Sequence, residues 1–288
     1  MSPANQRWRP NSLDIVIILG TALFIGWLYH RSSIGINYQW HWKEAIQLIF
    51  TPRADGNMPY FVQGLLSTIR LSAWGLVLGT LIGFLIGTAR FSRLKGTNML
   101  ATCYVMLVRN TPPLVFIFLF YFFISNQLIP LLGLNEWLRQ HTNSSSLILT
   151  ALFGDARLWE NLLTGALCIS MLSAAYIAEV VRAGLGTIPK GQWEAAKTLG
   201  LSRWVTFKEI IFPQLLQNIA PALAGQSISI IKDSSIISLI SIQELTFVGS
   251  EIANSSGLIF EIWLIVGLCY FVLCFSLSLL FQRLEKKI

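Results

Sequence analysis

The chain has 288 residues, of which 54% are hydrophobic and only 12% charged, with a mean hydropathy of +0.61 and a formal charge of +7. Soluble domains carry roughly twice that charged fraction, and the apolar residues here run in blocks rather than periodic stripes. This excludes a water-soluble core as the main architecture and makes the bilayer the expected solvent. Cys103, Cys168, Cys269 and Cys274 sit in apolar surroundings without a C-x-x-C, and His30, His41 and His141 are scattered. Neither a disulfide framework nor a metal site is expected.

A helix needs about 20 mainly apolar residues to cross the hydrocarbon core. In chain order, the first candidate is Leu13–Tyr29, an uncleaved anchor because Tyr29-His30-Arg31 lacks a small-residue cleavage pattern. Leu71–Ala89 is the second, with Arg70 placed at its outer edge. The third lies within Met99–Ile129 and is interrupted at Arg109-Asn110-Thr111-Pro112-Pro113. The fourth is Leu162–Ala178, continuing through Glu179 and Arg182 towards Pro189. The fifth lies within Ile210–Ile242 and contains Pro213, Pro221 and Lys232-Asp233. Ile262–Gln282 is the sixth.

Six crossings put both termini on one side, and basic residues mark the cytoplasmic side. With cytoplasmic termini, the inner segments hold Arg7, Arg9, Arg90, Arg93, Lys95, Lys190, Lys197, Arg203, Lys208, Arg283, Lys286 and Lys287. The outer segments hold only Arg31, Lys43, Arg53, Arg139 and Arg157. That bias assigns the termini to the cytoplasm and accounts for the positive charge, so no nucleic-acid partner is needed. Two outer segments are long, about residues 30–59 and 125–160. Trp40, Trp42, Trp137 and Trp159 suit interfacial anchors. Asn143-Ser144-Ser145 and Asn254-Ser255-Ser256 match a glycosylation pattern too frequent by chance to carry weight.

There is no P-loop, G-x-S-x-G, H-E-x-x-H or dinucleotide fingerprint, so no catalytic residues are expected. The loop over residues 187–212 is more informative. Pro189 suits a helix start, Gln192–Leu199 contains good helix formers, Gly200 suits the left-handed residue after a helix end, and Ser202 can cap the next helix. The expected product is a two-turn helix outside the membrane, with Ala195 and Ala196 keeping its surface low and Trp193 and Leu199 as apolar anchors. Composition alone leaves two readings open: a helix docked in a partner's groove, or one resting on the membrane surface.

Glu194-Ala195-Ala196, Gly200 four residues on, and Ile210-Ile211-Phe212-Pro213 together resemble the EAA loop of ABC-transporter permeases. Residues 175–184 (AYIAEVVRAG), 108–114 (VRNTPPL) and 232–235 (KDSS) are similar to segments of the polar-amino-acid branch (histidine, glutamine and arginine importers) in the same order. The resemblance covers about residue 60 to the C-terminus. It implies an all-α polytopic protein: a five-helix type I importer core over 60–288, with an N-terminal anchor helix and outer loop over 1–59 added. It further implies a permease subunit with no enzymatic activity and no cofactor of its own, in a bacterial inner membrane. ATP-Mg would sit on separate ABC ATPase subunits that grip Lys190, Gly191, Gln192, Glu194, Ala195, Ala196 and Gly200. A second permease subunit and a periplasmic or extracellular amino-acid-binding protein would complete the assembly.

Charged residues inside spans face protein or water because lipid penalises them. Arg109, Glu179, Arg182, Lys232 and Asp233 supply both signs, as a zwitterionic amino acid requires. With Thr111, Ser173, Tyr176 and Ser234, they are the candidate pathway residues, Arg182 being set against Glu179 three positions away. Two bland readings stand beside this one: a structural Glu179–Arg182 salt bridge, and Lys232–Asp233 as a pair at the outer interface. The rival function is a proton-coupled secondary transporter using Glu179 and Asp233 as relays; a non-transporting scaffold is a third.

Overall fold

The computed structural model describes residues 12–35, 38–52, 58–92, 94–131, 133, 147–155 and 158–285. Arg7, Arg9, Arg53, Arg93, Arg139, Arg157, Lys286, Lys287, Trp137 and the Asn143 tripeptide lie outside the described residues. Every regular element among the described residues is helical, and the chain divides into two units, Met1–Trp42 and Lys43–Ile288.

The first unit contains α1 (Ser12–Gly35), which shows Leu13, Ile17, Leu23, Phe24 and Trp27 to its surroundings. A helix apolar all round belongs in lipid. The Trp40 and Trp42 rings stack 5.3 Å apart.

The second unit holds α2 (Trp42–Phe50, opening at the boundary), α3 (Tyr60–Phe91), α4 (Lys95–Asn110), α5 (Pro113–Leu131, with a π turn at Tyr121–Ser125) and α6 (Leu147–Phe153). It continues with α7 (Trp159–Thr187), α8 (Lys190–Thr198), α9 (Arg203–Ile240), α10 (Leu245–Ser256) and α11 (Ile259–Glu285). Among the described residues, five helices are long and apolar enough to cross a bilayer: α1, α3, α5, α7 and α11. A sixth arises if α9 and α10, bent by 53° where Ser241 turns left-handed at φ 61, are one span. This matches the six segments read from the sequence.

The central seam is α3 against α7. Gly75, Gly79, Gly83 and Gly87 recur every fourth residue and face Ile169, Ser173, Ile177 and Val181 in turn. Both series advance together, so α3 and α7 run parallel, and the chain between them must return through α4 and α5. Small residues let backbones approach, which is how helices associate in lipid where no hydrophobic force drives them together. α9 runs antiparallel to α7, since Gly165 meets Ile237 and Gly184 meets Leu215 and Ile219. A Cβ on Gly83 would lie 2.7 Å from Ile177 Cβ and 2.9 Å from the Ala174 carbonyl. Gly83→Val is therefore expected to destabilise the purified chain by about 1–3 kcal/mol, read as a lower thermal midpoint in detergent. Gly225→Ala is the control: among the described residues a Cβ there meets no atom of a neighbouring element within 4 Å, and its midpoint should hold or rise.

Among the described residues, three apolar clusters follow this scaffold. The largest joins α3, α4, α5, α7 and α9 around Ile117, Ile169, Leu172 and Ile230. A second lies at the Tyr60 end of α3, where Ala45 and Ile49 of α2 meet Leu245, Ala253, Leu258 and Ile262. The third lies at the Phe91 end, where Val181 and Leu185 meet Ile188, Ile211, Leu215 and Ile219.

Several expected boundaries shift. α3 begins at Tyr60, so Arg70 lies inside a helix and not at its edge. Its guanidinium donates to the carbonyls of Ala151 (2.9 Å) and Thr150 (3.3 Å), while Trp74 Nε1 donates to Leu152 O and Trp159 Nε1 to Gly154 O. These side chains cap the C-terminal end of α6, whose orphan carbonyls attract a cation. The third segment divides into two helices at Thr111-Pro112, because Pro113 cannot donate into the preceding turn. The fifth opens with a π segment, Thr206–Ile211, one residue before Pro213, where the proline ring and missing N–H widen the helix.

Candidate functional site

Glu179 projects from α7 two turns before that helix ends, and three guanidiniums surround it. Arg182 of the same face reaches Oε1, with Nε at 3.0 Å and Nη2 in direct contact. Arg90, from the last turn of α3, and Arg109, from the last turn of α4, both reach Oε2, the latter at 3.1 Å. The Arg90 side chain is only 10% exposed, against 42% for Arg109 and 44% for Arg182. The Arg109 guanidinium also lies 5.9 Å from the Tyr176 ring centroid, a cation–π contact. Arg90, Val105, Met106, Arg109, Asn110 and Glu179 line an open cleft of about 340 Å³.

The break after α4 positions Arg109. Thr111 Oγ1 donates to Leu107 O (2.7 Å) and Asn110 Nδ2 to Met106 O (2.8 Å), closing the last turn before Pro112. Thus Arg109, Tyr176 and Glu179 of the pathway candidates come together, and the Glu179–Arg182 bridge is present. Ser173 faces α3, its buried Oγ without a hydrogen-bond partner among the described residues and its Cβ 3.3 Å from where a Cβ on Gly79 would lie. Lys232, exposed, and Asp233, half-buried, stand where α9 tightens from α to 3₁₀ geometry, with Ser234 Oγ donating to Ile231 O. On the antiparallel register they lie opposite the Ser170 region of α7, about two and a half turns from Glu179. They do not join the cluster.

The residue that sequence reasoning missed is Arg90. It was counted only as a cytoplasmic charge, and 89 residues separate it from Glu179. Also unanticipated is Glu244, fully buried at the cap of α10. It accepts from Phe247 N (2.8 Å), Tyr270 OH (2.6 Å) and Thr68 Oγ1 (3.2 Å), joining α10, α11 and α3. An acidic residue inside the apolar run 236–248 was the available signal. Among the described residues, no group of three or more His, Cys, Asp and Glu is placed to hold a metal ion.

The second site element is α8. Pro189 caps it rather than occupying its first turn (φ −57, ψ 136). At the other end Gly200 is left-handed at φ 72, its N–H bonding Lys197 O (3.0 Å) while Leu201 N bonds Ala196 O (3.1 Å), a Schellman stop. Ser202 Oγ then accepts from Val205 N. Trp193 stacks on Phe91 at 6.2 Å and packs into the cluster at that end of the bundle. Ala196 is also buried, 1% exposed, so it turns towards its own chain and not outward with Ala195. Lys190, Gly191, Gln192, Glu194 and Ala195 remain exposed, as does Leu199. The helix is seated by one face and free on the other.

Comparison with known proteins adds three findings. The family model described as "Binding-protein-dependent transport system inner membrane component" matches residues 57–288. The probable amino-acid ABC transporter permease protein YckA of Bacillus subtilis (strain 168) is 33% identical over 238 residues, covering 82% of this chain and 92% of that protein. The glutamate/aspartate import permease protein GltK of Escherichia coli O157:H7 is 28% identical over 250 residues, covering 87% and 99%. Among solved structures, an amino acid ABC transporter crystallised with histidines superposes with a TM-score of 0.65 at 26% identity, covering 87% of this chain and all of that one.

Proposed function

Because the chain belongs to the binding-protein-dependent transport system inner membrane components, among the polar-amino-acid ABC permeases, we propose that it couples ATP hydrolysis on a partner subunit to amino-acid translocation. It is a multi-pass membrane protein, placed in this reading in a bacterial inner membrane with both termini cytoplasmic. The permease domain is 60–288, and residues 1–59 add an anchor. A soluble binding protein delivers the amino acid from outside, two permease subunits enclose the pathway, and ATP-Mg binds only the partner ATPases.

The observation that carries this reading is α8. Its seated face fixes it to α3, α7 and α9, and its exposed Lys190, Gly191, Gln192, Glu194 and Ala195 form a compact face between two sharp stops. A partner that moves such a helix moves the spans it rests on, a two-state change biased by nucleotide. The cleft lined by Arg109 and Glu179, with Tyr176 beneath the Arg109 guanidinium and Thr111 at the break, lies at the same end of the bundle, and this reading assigns it to the pathway. Ser173, Lys232, Asp233 and Ser234 remain pathway candidates further along α7 and α9. A proton relay through Glu179 is disfavoured, because three guanidiniums already engage both of its carboxylate oxygens.

The test is uptake in proteoliposomes carrying this chain, its genomic neighbour ATPase and binding protein. Uptake is expected to require ATP and to survive dissipation of the proton gradient. Uptake that ignores ATP and collapses with the gradient overturns the reading in favour of secondary transport.

A further inference from the structure

The span made by α9 and α10 is broken, and its two parts are held unequally. α10 is fastened on both sides along its length. Glu244 at its start accepts from Thr68 of α3 and Tyr270 of α11, while Leu245 N donates to Thr68 Oγ1 (3.0 Å) and Thr246 Oγ1 pairs with Tyr270 OH (3.0 Å). Two turns on, Tyr60 OH of α3 donates to Glu251. Between these points the packing is tight: a Cβ on Gly64 would lie 2.9 Å from Val248 Cγ2, and one on Gly249 would lie 2.5 Å from Val266 Cγ2 of α11.

The part of α9 before Ser234 is close-packed on its α7 face, where a Cβ on Gly184 would lie 2.2 Å from Ile219 Cγ2. Its face towards α3 and α11 instead borders a cavity of about 410 Å³, lined by Thr68, Ser72, Leu76, Ser227, Ile231 and Leu273 among others. Thr68 belongs both to this cavity and to the fastening of Glu244, so the void begins directly beneath the fixed part. Ser72 and Ser227 line it from different helices. Ser72 Oγ is buried and, among the described residues, has no hydrogen-bond partner, an arrangement that is costly and calls for one. Ser227 Oγ donates to Leu223 O (2.7 Å), and a hydroxyl that donates can still accept. Joining the two parts are the 3₁₀ turn Ser234–Ile240 and Ser241, a non-glycine residue held left-handed at φ 61. Strain of that kind persists only where the surrounding structure enforces it, and it concentrates at working parts.

We infer that residues 234–241 form a joint: Glu244 is a positioning residue that keeps α10 still against α3 and α11, while α9 rocks on α7 into the cavity until Ser72 gains Ser227 as its acceptor. The inference rests on the importer reading for what drives the motion, since α8 leads into α9 through the Ser202 cap. Closing the void recovers dispersion contacts that its walls now lack, which gives the span a second packed arrangement for a partner to favour. The rival occupant of the space is a lipid chain.

The cavity is filled by Ser72→Leu, and from a third wall by Ser276→Leu in case the first variant fails to fold. Each purified full chain is followed by hydrogen–deuterium exchange and thermal midpoint, and each reconstituted complex by solute moved per ATP hydrolysed. In the parent, amides over 234–244 should exchange faster than those of α10. Filling should slow that exchange roughly tenfold. It should raise the midpoint by about 2–4 °C and yet lower the solute moved per ATP roughly tenfold. Tyr270→Phe removes one donor from Glu244 and should speed exchange in α10 about threefold or more. Exchange over 234–244 that ignores both fillers overturns the inference, and exchange in α10 that ignores Tyr270→Phe removes Glu244 as the fastening and overturns it too. A filled protein that is more stable and moves as much solute per ATP as the parent assigns the space to lipid or to static packing, which also overturns it. Filler-sensitive exchange in a parent whose uptake needs no ATP supports the joint and overturns only the importer.

Discussion

Glu179→Ala is expected to sharply lower the amount of folded protein recovered from membranes. It leaves Arg90, nine-tenths buried, and Arg109 and Arg182 without an anionic partner. Breaking a buried pair from one side costs about 3–5 kcal/mol, and the lower figure applies here because Glu179 keeps a quarter of its side chain exposed. A loss near 3 kcal/mol is a large part of an ordinary folding stability. Membrane immunoblots and the detergent thermal midpoint are the readouts, with Glu179→Gln falling between alanine and the parent because its amide oxygen still accepts. Arg182→Ala should change little, since an exposed pair contributes about 0–1 kcal/mol. Normal accumulation of Glu179→Ala would mean that the three arginines find other partners and that the cluster does not hold α3, α4 and α7 together.

The second large effect falls on coupling and leaves folding nearly untouched. Gly200→Val places a β-branched residue at φ 72, a conformation that costs L residues about 1–2 kcal/mol, where among the described residues an added Cβ meets nothing else within 4 Å. The strain falls on the stop of α8, loosening the bonds from Gly200 N and Leu201 N to the carbonyls of Lys197 and Ala196. The spans should insert and the midpoint should barely move. In reconstituted complexes the solute moved per ATP hydrolysed should fall by an order of magnitude, and combining the change with Glu194→Ala should deepen the loss. An unchanged ratio would count against α8 as the contact with the ATPase.

The sequence made these two elements visible to different degrees. The stops around α8 are local, and Pro189, Gly200 and Ser202 each act on their own neighbours, so their roles could be read without a fold. The break at Thr111-Pro112 and the Glu179–Arg182 pair were legible for the same reason. Arg90 was not, because its pairing with Glu179 depends on the parallel packing of α3 on α7, and a one-dimensional reading assigned it to topology. Arg70 misled in the opposite way. Hydropathy treats a charge as a span's end, whereas this guanidinium satisfies carbonyls of α6 and stays inside the helix. Ala196 was misplaced because small size suits close approach equally well towards a partner or towards its own bundle. Glu244 escaped notice because its donors lie on three other segments of the chain.

The capping of α6 bears on how force crosses the membrane. Arg70 and Trp74 fasten that short helix to α3, and Trp159 fastens it to the first residue of α7, the helix that carries Glu179 towards its other extremity. Between Trp159 and Thr187 there is no proline, no left-handed residue and no change of helix type, so α7 is an unbroken strut of about 43 Å. A load borne by the α6 bracket is delivered to the arginine cluster without a joint to absorb it, and the two faces of the membrane share one mechanical member.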